Sequence, residues 1–181
     1  MASLASRPED AIRKVTLVVE GAPHVVDADA WKISTIVNGM INGDEDDEDD
    51  EDDTSSTVIA PLINVDTETF NKLNEFVNLH KLDPCGEPRK PLVSSNLTEN
   101  GVSQRYANWV SAMGLPSASG NTLYMKVLNA ADYLDIHILK NLLCAGLASA
   151  IRGKTPDEVR AIFQIPPGTI DSNTQRALEA C

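Results

Sequence analysis

The sequence from Leu123 to Arg160 reads LYMKVLNAADYLDIHILKNLLCAGLASAIRGKTPDEVR. Apolar residues recur in it every three or four positions, and the pattern is interrupted at Asp135. This spacing is typical of helices that bury one face. The stretch therefore predicts two helices, with Asp135 as the cap of the second helix and Gly153 as its end. The two apolar stripes are Leu123, Val127, Leu128, Ala131 and Leu134, then Ile136, Leu139, Leu142, Leu143, Leu147, Ala150 and Ile151.

After these two helices, the segment Thr155-Pro156-Asp157-Glu158 has the composition of a helix start. The Thr155 side chain can accept a hydrogen bond from the backbone N–H of Glu158, and the Glu158 side chain can accept one from the N–H of Thr155. Pro156 suits the first helical position because its missing N–H would have no partner there. We therefore predict a short helix that begins at Pro156 and ends at Pro166-Pro167-Gly168.

The C-terminal segment carries apolar residues that need to be covered. Val159, Ile162 and Phe163 lie on one side of the first short helix, and capping residues from Ser172 onward predict a last helix that carries Leu178. Apolar residues of this kind are core residues in most helices. However, two short helices at the end of a chain have little else to pack against. Core packing and a groove for a partner are therefore both open alternatives.

The N-terminal part of the chain predicts a small sheet. The β-branched runs Val15–Val19 and His24–Val26 flank Glu20-Gly21-Ala22-Pro23, which is the pattern of a strand, a turn and a second strand. A third short strand is predicted over residues 58–63. The chain therefore contains short strand patterns in its N-terminal part and helical patterns in the rest.

Two further helices are predicted in this part of the chain. Apolar residues recur at helical spacing over residues 33–41, behind a cap at Asp29 or Ser34. Asp66 is the predicted cap of a second helix. The apolar face of that helix consists of Phe70, Leu73, Phe76, Val77 and His80.

Two segments lack any periodic pattern. The run Asp44–Asp53 contains only acidic residues, which repel one another, so we predict a disordered loop over residues 43–57. The rest of the chain contains 17 acidic and 15 basic residues, so most of the net charge of −12 comes from this run. Pro, Gly, Ser and Asn dominate residues 83–108, which predicts a second, mobile loop.

The composition also argues against several classes of function. No cluster of Lys and Arg is present, so nucleic acid is not an expected partner. No stretch approaches the ~18 apolar residues of a membrane span, and the N-terminal residues show no secretory signal. The scattered Cys85, Cys144 and Cys181 do not form a disulfide framework. The expected location is therefore the cytoplasm, the nucleus or both.

No residue pattern points to catalysis, to a metal or to a cofactor. His80 and Cys85 have no partner pair at the spacing of zinc ligands. The serines and histidines lack the motifs that surround known nucleophiles. We therefore expect no small-molecule substrate and predict a protein that is not an enzyme and acts by binding protein partners.

Several ordered segments together resemble one family. They are Pro61–Val65 (PLINV), His80–Pro84 (HKLDP), Ala130–Ile136 (AADYLDI) and Gly153–Arg160 (GKTPDEVR), followed by Phe163–Ile165 (FQI). The third and fourth segments are long, and their order makes them specific. From about Val15 to the C-terminus, the chain resembles the Skp family, the S-phase kinase-associated proteins that are adaptors of SCF ubiquitin ligases.

The resemblance implies a fold and two partners. The fold is a helix-rich α/β (α+β) one, in which a BTB/POZ-like domain with a small sheet packed by helices spans residues 13–151 and a C-terminal helical extension spans residues 152–181. The BTB/POZ-like part is expected to hold a cullin, and the extension is expected to hold F-box proteins. Carried over by position, the cullin-binding residues are Asn64, Asp132 and Tyr133. The F-box-binding residues are Val159, Ile162, Phe163, Ile165 and Leu178.

The sequence departs from the family's pattern at these surfaces. Asp132 stands where the family usually has Asn, the stretch Met113–Gly120 is longer than in the family, and Ala180 replaces a family Trp. An alternative is therefore a diverged Skp-like scaffold that binds F-box partners but no cullin. For Tyr133 two alternatives also remain, a contact residue or a core tyrosine with a bonded hydroxyl.

Overall fold

The computed structural model describes residues 13–42, 59–114 and 121–164, and the strands and helices predicted in these ranges occur in the predicted order, together with two helices that were not predicted. The predicted last helix, from Ser172 onward, lies outside the described residues. The predicted helix-rich α+β fold with a small sheet is confirmed. The elements are β1 (Lys14–Val19), β2 (Ala22–Asp27), α1 (Ala28–Trp31), α2 (Thr35–Asn42), β3 (Ile59–Leu62), α3 (Thr67–Leu82), a 3-10 turn (Thr98–Asn100), α4 (Gln104–Ala112), α5 (Asn121–Tyr133), α6 (His137–Ile151) and α7 (Pro156–Phe163).

Contacts between residues divide the chain into two units. The first consists of Met1–Cys85 and Lys126–Lys140, and the second of Gly86–Met125 and Asn141–Cys181. Both α5 and α6 pass from one unit into the other. This division differs from the predicted domain boundary between residues 151 and 152, because α7 shares a unit with the last part of α6. The boundary at residue 151 stays a prediction.

The predicted hairpin is present in the first unit. β1 pairs with β2 antiparallel and with β3 parallel, so β1 is the central strand. Glu20 and Gly21 form the turn with φ of 50° and 81°. Positive φ at both positions matches the right-handed twist of the two strands that a tight turn connects. Alternate residues of β1 are buried on one face of the sheet: Val15, Leu17 and Val19.

Helix starts in the first unit follow the capping pattern of the sequence. Asp66 caps α3 by accepting a hydrogen bond of 2.8 Å from the backbone N–H three residues ahead. The buried Ser34 hydroxyl accepts the corresponding bond of 3.2 Å at the start of α2. The alternative prediction, that Asp29 caps this helix, is wrong. Asp27 caps the short helix α1, and Asp29 lies in the first turn of α1.

The junction between α5 and α6 differs from the prediction. Asp135 adopts a left-handed conformation with φ of 54°. Its N–H donates to the Asp132 carbonyl at 3.1 Å, and the N–H of Ile136 donates to the Ala131 carbonyl at 2.8 Å. These two bonds satisfy the last carbonyls of α5. Asp135 therefore ends α5, and the prediction that it caps α6 is wrong.

The predicted loop 83–108 contains regular structure in the second unit. A 3-10 turn spans Thr98–Asn100 and α4 begins at Gln104, so the predicted C-terminal end of this loop is wrong. The other predicted loop, 43–57, lies outside the described residues. Within the described ranges, no helix is long and apolar enough to cross a membrane.

A fully buried asparagine organises the segment before α4. The Asn100 side-chain oxygen accepts hydrogen bonds from the N–H groups of Val93 and Ser94 at 2.7 and 3.3 Å. Its amide nitrogen donates to the carbonyls of Ser94 and Asn96 at 2.7 and 2.8 Å. A single side chain thus replaces the backbone pairing that a strand or helix would provide. Composition could not reveal this role, because asparagine is also common in mobile loops.

Candidate partner-binding surfaces

A depression of about 720 Å³ lies in the first unit, and we call it the Tyr133 depression. The β1–β2 turn, the residues after β3, the start of α3 and one side of α5 form its walls. Two of the three predicted cullin-binding residues line it together. The lining residues that matter below are Glu20, Ile63, Asn64, Asp66, Lys126 and Tyr133.

The wall after β3 is shaped by a left-handed residue. Asn64 has φ of 63°, a conformation that asparagine adopts more readily than most residues. The chain on either side of it is anchored, because Leu62 and Val65 are buried. Ile63 is 62% exposed in spite of its apolar side chain. The local turn therefore presents an isoleucine and an asparagine to solvent at the depression.

The opposite wall is the last part of α5. Tyr133 is the final residue of this helix and is 45% exposed, while Ala130, one turn earlier, is buried. Lys126 precedes Tyr133 by two helical turns and lies on the same side of the helix. The exposure of Tyr133 fits a contact residue better than a core tyrosine. Its role toward a cullin stays a prediction.

Two carboxylates of the depression are held in fixed positions. Asp66 accepts hydrogen bonds from Lys126 at 2.7 Å and from the Thr69 backbone N–H at 2.8 Å, and these bonds lower the pKa of Asp66 to about 2. Glu20 accepts bonds from the Thr67 hydroxyl at 2.7 Å and from the Thr67 N–H at 3.0 Å. These bonds lower the pKa of Glu20. Both groups are therefore ionised at neutral pH.

Asp132 is placed differently from the other two predicted residues. Its side chain is exposed, forms an ion pair of 3.0 Å with Lys140 and is not part of the depression lining. Asp132 and Tyr133 are neighbours in sequence, but successive residues of a helix point in directions about 100° apart. The structure thus brings Asn64 and Tyr133 together and leaves Asp132 outside.

The predicted start of α7 is confirmed. The Thr155 hydroxyl accepts a bond of 3.3 Å from the N–H of Glu158, and the Glu158 carboxylate accepts one of 2.8 Å from the N–H of Thr155. The latter bond lowers the pKa of Glu158. The helix ends earlier than predicted, at Phe163, because Gln164 adopts a left-handed conformation with φ of 53°.

The apolar side of α7 is only partly covered. Ile162 is buried with 9% of its surface exposed, whereas Val159 and Phe163 are half-buried. Val159 and Phe163 are four positions apart and therefore neighbours on the helix surface. The predicted residues Ile165 and Leu178 lie outside the described residues. Their part in an F-box surface stays a prediction.

Glu20, Ile63 and Lys126 also line the Tyr133 depression, and the sequence did not predict them as site residues. Ile63 falls inside a strand pattern that suggested burial, and Glu20 was assigned only to a turn. Lys126 carries a usable signal, since it precedes Tyr133 by two helical turns. The pairing of β1 with β3 brings these positions together, and no local pattern predicts it.

His80 and Cys85 have a structural explanation. The ring nitrogen Nδ1 of His80 accepts a bond of 3.0 Å from the N–H of Cys85, and the ring stacks on Phe76 with 5.9 Å between centroids. Burial raises the pKa of the Cys85 thiol to about 11. No group of three or more potential metal ligands occurs in the described part of the chain.

Similarity to known proteins identifies the family of the chain. The family model described as "Skp1 family, dimerisation domain" matches residues 138–171. The S-phase kinase-associated protein 1 homolog of Tetrahymena thermophila is 36% identical over 143 residues, which are 78% of this chain and 75% of that protein. The chain belongs to the Skp1 family. This confirms the resemblance that the ordered segments show.

Other Skp1 family members match shorter parts of the chain. SKP1-like protein 11 of Arabidopsis thaliana is 31% identical over 105 residues, 58% of this chain and 59% of that protein. The SCF ubiquitin ligase complex protein SKP1a of Dictyostelium discoideum is 52% identical over 44 residues, 24% of this chain and 26% of its own length. Of these three relatives, the Dictyostelium protein is the one whose name places it in an SCF ubiquitin ligase complex.

Proposed function

We propose that this chain is a non-catalytic adaptor of an SCF-type E3 ubiquitin ligase that links a cullin to F-box substrate receptors. Membership of the Skp1 family supports the role, as does the name of the Dictyostelium relative. The observation that carries the proposal is the presence of two incompletely covered surfaces formed by different residues, the Tyr133 depression and the apolar side of α7. The proposed location is the cytoplasm, the nucleus or both.

The Tyr133 depression has the properties of a protein-docking site. Ile63 and Tyr133 are large side chains that remain exposed, and a depression of about 720 Å³ has room for side chains of a partner. Tyrosine is common at the centre of interfaces because it provides a large rigid contact area and a hydroxyl group. We assign the cullin to this surface.

The α7 surface suits a helical partner. The helix has only eight residues, which is too short to be stable from its own backbone hydrogen bonds. Packing must therefore stabilise it, and Val159 and Phe163 still have surface available for a partner. A helix of an F-box protein that covers these two residues would complete the layer.

A reconstitution experiment tests the adaptor role directly. The full chain, a full-length cullin and an F-box protein are mixed, and the complexes are separated by size-exclusion chromatography with light scattering. We expect a complex of all three proteins that does not form when this chain is left out. Competition between the cullin and the F-box protein for the chain would contradict the proposal that the two partners bind different surfaces.

Phe163→Ala is expected to weaken binding of an F-box protein about 30-fold, equivalent to ~2 kcal/mol. The substitution removes the largest apolar side chain of the α7 surface. Calorimetric titration measures the affinity, and Phe163→Leu, which retains an apolar side chain, should lose less than about fivefold. If Phe163→Ala instead unfolds the chain, Phe163 is a core residue and the groove lies elsewhere.

The ion pair between Asp132 and Lys140 supports a second candidate function. In this alternative the chain is a Skp-like scaffold that binds F-box proteins without a cullin. Asp132 replaces the usual asparagine of the family, and its carboxylate is held by Lys140. A partner that covered this position would have to desolvate a charged pair instead of a neutral amide.

Asp132→Asn separates the two candidates. Under the adaptor proposal, the wild-type chain and Asp132→Asn should bind a cullin with affinities within about threefold, because Asp132 lies outside the depression and exposed ion pairs contribute little. Under the scaffold alternative, the wild-type chain should not bind a cullin, and Asp132→Asn should restore binding. Surface plasmon resonance with immobilised cullin gives the comparison.

A further inference from the structure

The charges around the Tyr133 depression do not cancel. Three charged side chains line it, namely Glu20, Asp66 and Lys126. Asp66 and Lys126 are paired at 2.7 Å, so they largely neutralise each other. Glu20 forms no ion pair with any described residue. The lining therefore has a net charge of −1, and Glu20 is its charged residue without a direct ion pair among the described residues.

The Glu20 carboxylate is oriented before any partner arrives. Its oxygen Oε2 accepts both hydrogen bonds from Thr67, at 2.7 and 3.0 Å. Its oxygen Oε1 has no hydrogen-bond partner among the described residues. The tight turn fixes the backbone at Glu20, which has φ of 50°. One carboxylate oxygen is thus occupied, and the other remains available in a depression that the exposed Ile63 and Tyr133 also line.

Docking of a partner would change the surroundings of this charge. A partner that covers Ile63 and Tyr133 removes water from the rest of the depression, including the Glu20 side chain. An unpaired carboxylate away from water is strongly unfavourable, whereas a carboxylate with a cationic hydrogen-bond donor is tolerated. A partner with an acidic group at this position would be rejected by like-charge repulsion.

We propose that Glu20 determines partner specificity at the Tyr133 depression by binding an arginine or lysine side chain that the partner presents next to an apolar side chain. The inference rests on the proposed docking of a cullin at this depression and adds the chemistry of the docking segment. The apolar side chain contacts Ile63 and Tyr133, and the basic one binds Oε1 of Glu20.

The test compares Glu20→Gln with a matched control, Glu68→Gln. Glutamine at position 20 retains an oxygen that can accept the Thr67 hydrogen bonds but removes the charge. Glu68 is an exposed glutamate on α3 that does not line the depression, so its substitution changes the net charge equally. Binding of the full chain to immobilised full-length cullin is measured at about 50 and 500 mM salt, where screening differs several-fold in range.

We expect Glu20→Gln to weaken cullin binding about 10-fold at low salt and by less at high salt, with Glu68→Gln within about twofold of the wild-type chain. Equal binding by Glu20→Gln and the wild-type chain, with loss of binding by Tyr133→Lys, would overturn this inference and leave the proposed function intact. Equal losses in both glutamate variants would also overturn it, because a general charge effect would then suffice. Absence of cullin binding by the wild-type chain would refute the proposed cullin docking and this inference together.

Discussion

Cullin binding is expected to fall at least 100-fold, by about 3 kcal/mol, when Tyr133 is replaced by lysine, while binding of an F-box protein stays within twofold of wild type. The substitution removes the exposed ring from the depression and adds a positive charge. The new ammonium group adds a second positive charge to the side of α5 that carries Lys126. It would repel a basic side chain of the partner. Surface plasmon resonance against each partner separately gives both affinities.

A control variant and a stability measurement make this first prediction specific. Tyr133→Phe retains the ring and should lose less than about threefold, because the apolar contact area is unchanged. The melting temperature of Tyr133→Lys should remain close to that of the wild-type chain, since Tyr133 is 45% exposed. Retained cullin binding in Tyr133→Lys would show that the depression is not the docking surface.

Asn100→Ala is expected to lower the free energy of unfolding by about 3 kcal/mol. The substitution removes four hydrogen bonds from one buried side chain, and the groups of Val93, Ser94 and Asn96 lose their partners. Chemical denaturation monitored by circular dichroism measures the change.

Asn108→Ala serves as the control for this second prediction. Asn108 is exposed on α4 and accepts a hydrogen bond of 2.7 Å from Gln104, so its loss should change stability by less than about 0.5 kcal/mol. Hydrogen exchange should also become faster at residues 93–102 in Asn100→Ala. Equal stability of the two variants would mean that the four hydrogen bonds of Asn100 contribute nothing net to folding.

Several elements could be predicted from the sequence because their causes are local. The hairpin depends on β-branched runs around a turn, and the start of α7 depends on four consecutive residues from Thr155 to Glu158. Asp66 and Ser34 cap their helices through N–H groups three positions ahead. In each case the interacting atoms are close in sequence, so residue types and spacing are sufficient.

Other predictions failed where two local solutions compete. Asp135 can cap a following helix or end a preceding one, and its left-handed backbone selects the second possibility. The predicted loop extends to residue 108, but α4 already begins at Gln104. In the same way, the composition of residues 93–102 fits a mobile loop, but the four bonds of Asn100 give this segment a fixed arrangement.

The sequence by itself determined the starts of α2, α3 and α7 and, through the resemblance, the fold class, the family and two of the residues that line the depression. Only the tertiary structure decided which residues share that depression. Glu20, Asn64 and Tyr133 are far apart in the chain, and the parallel pairing of β1 with β3 and the position of α5 bring them together. The physical reason is that helix caps and turns depend on neighbouring atoms, whereas a surface that spans three elements depends on how those elements pack.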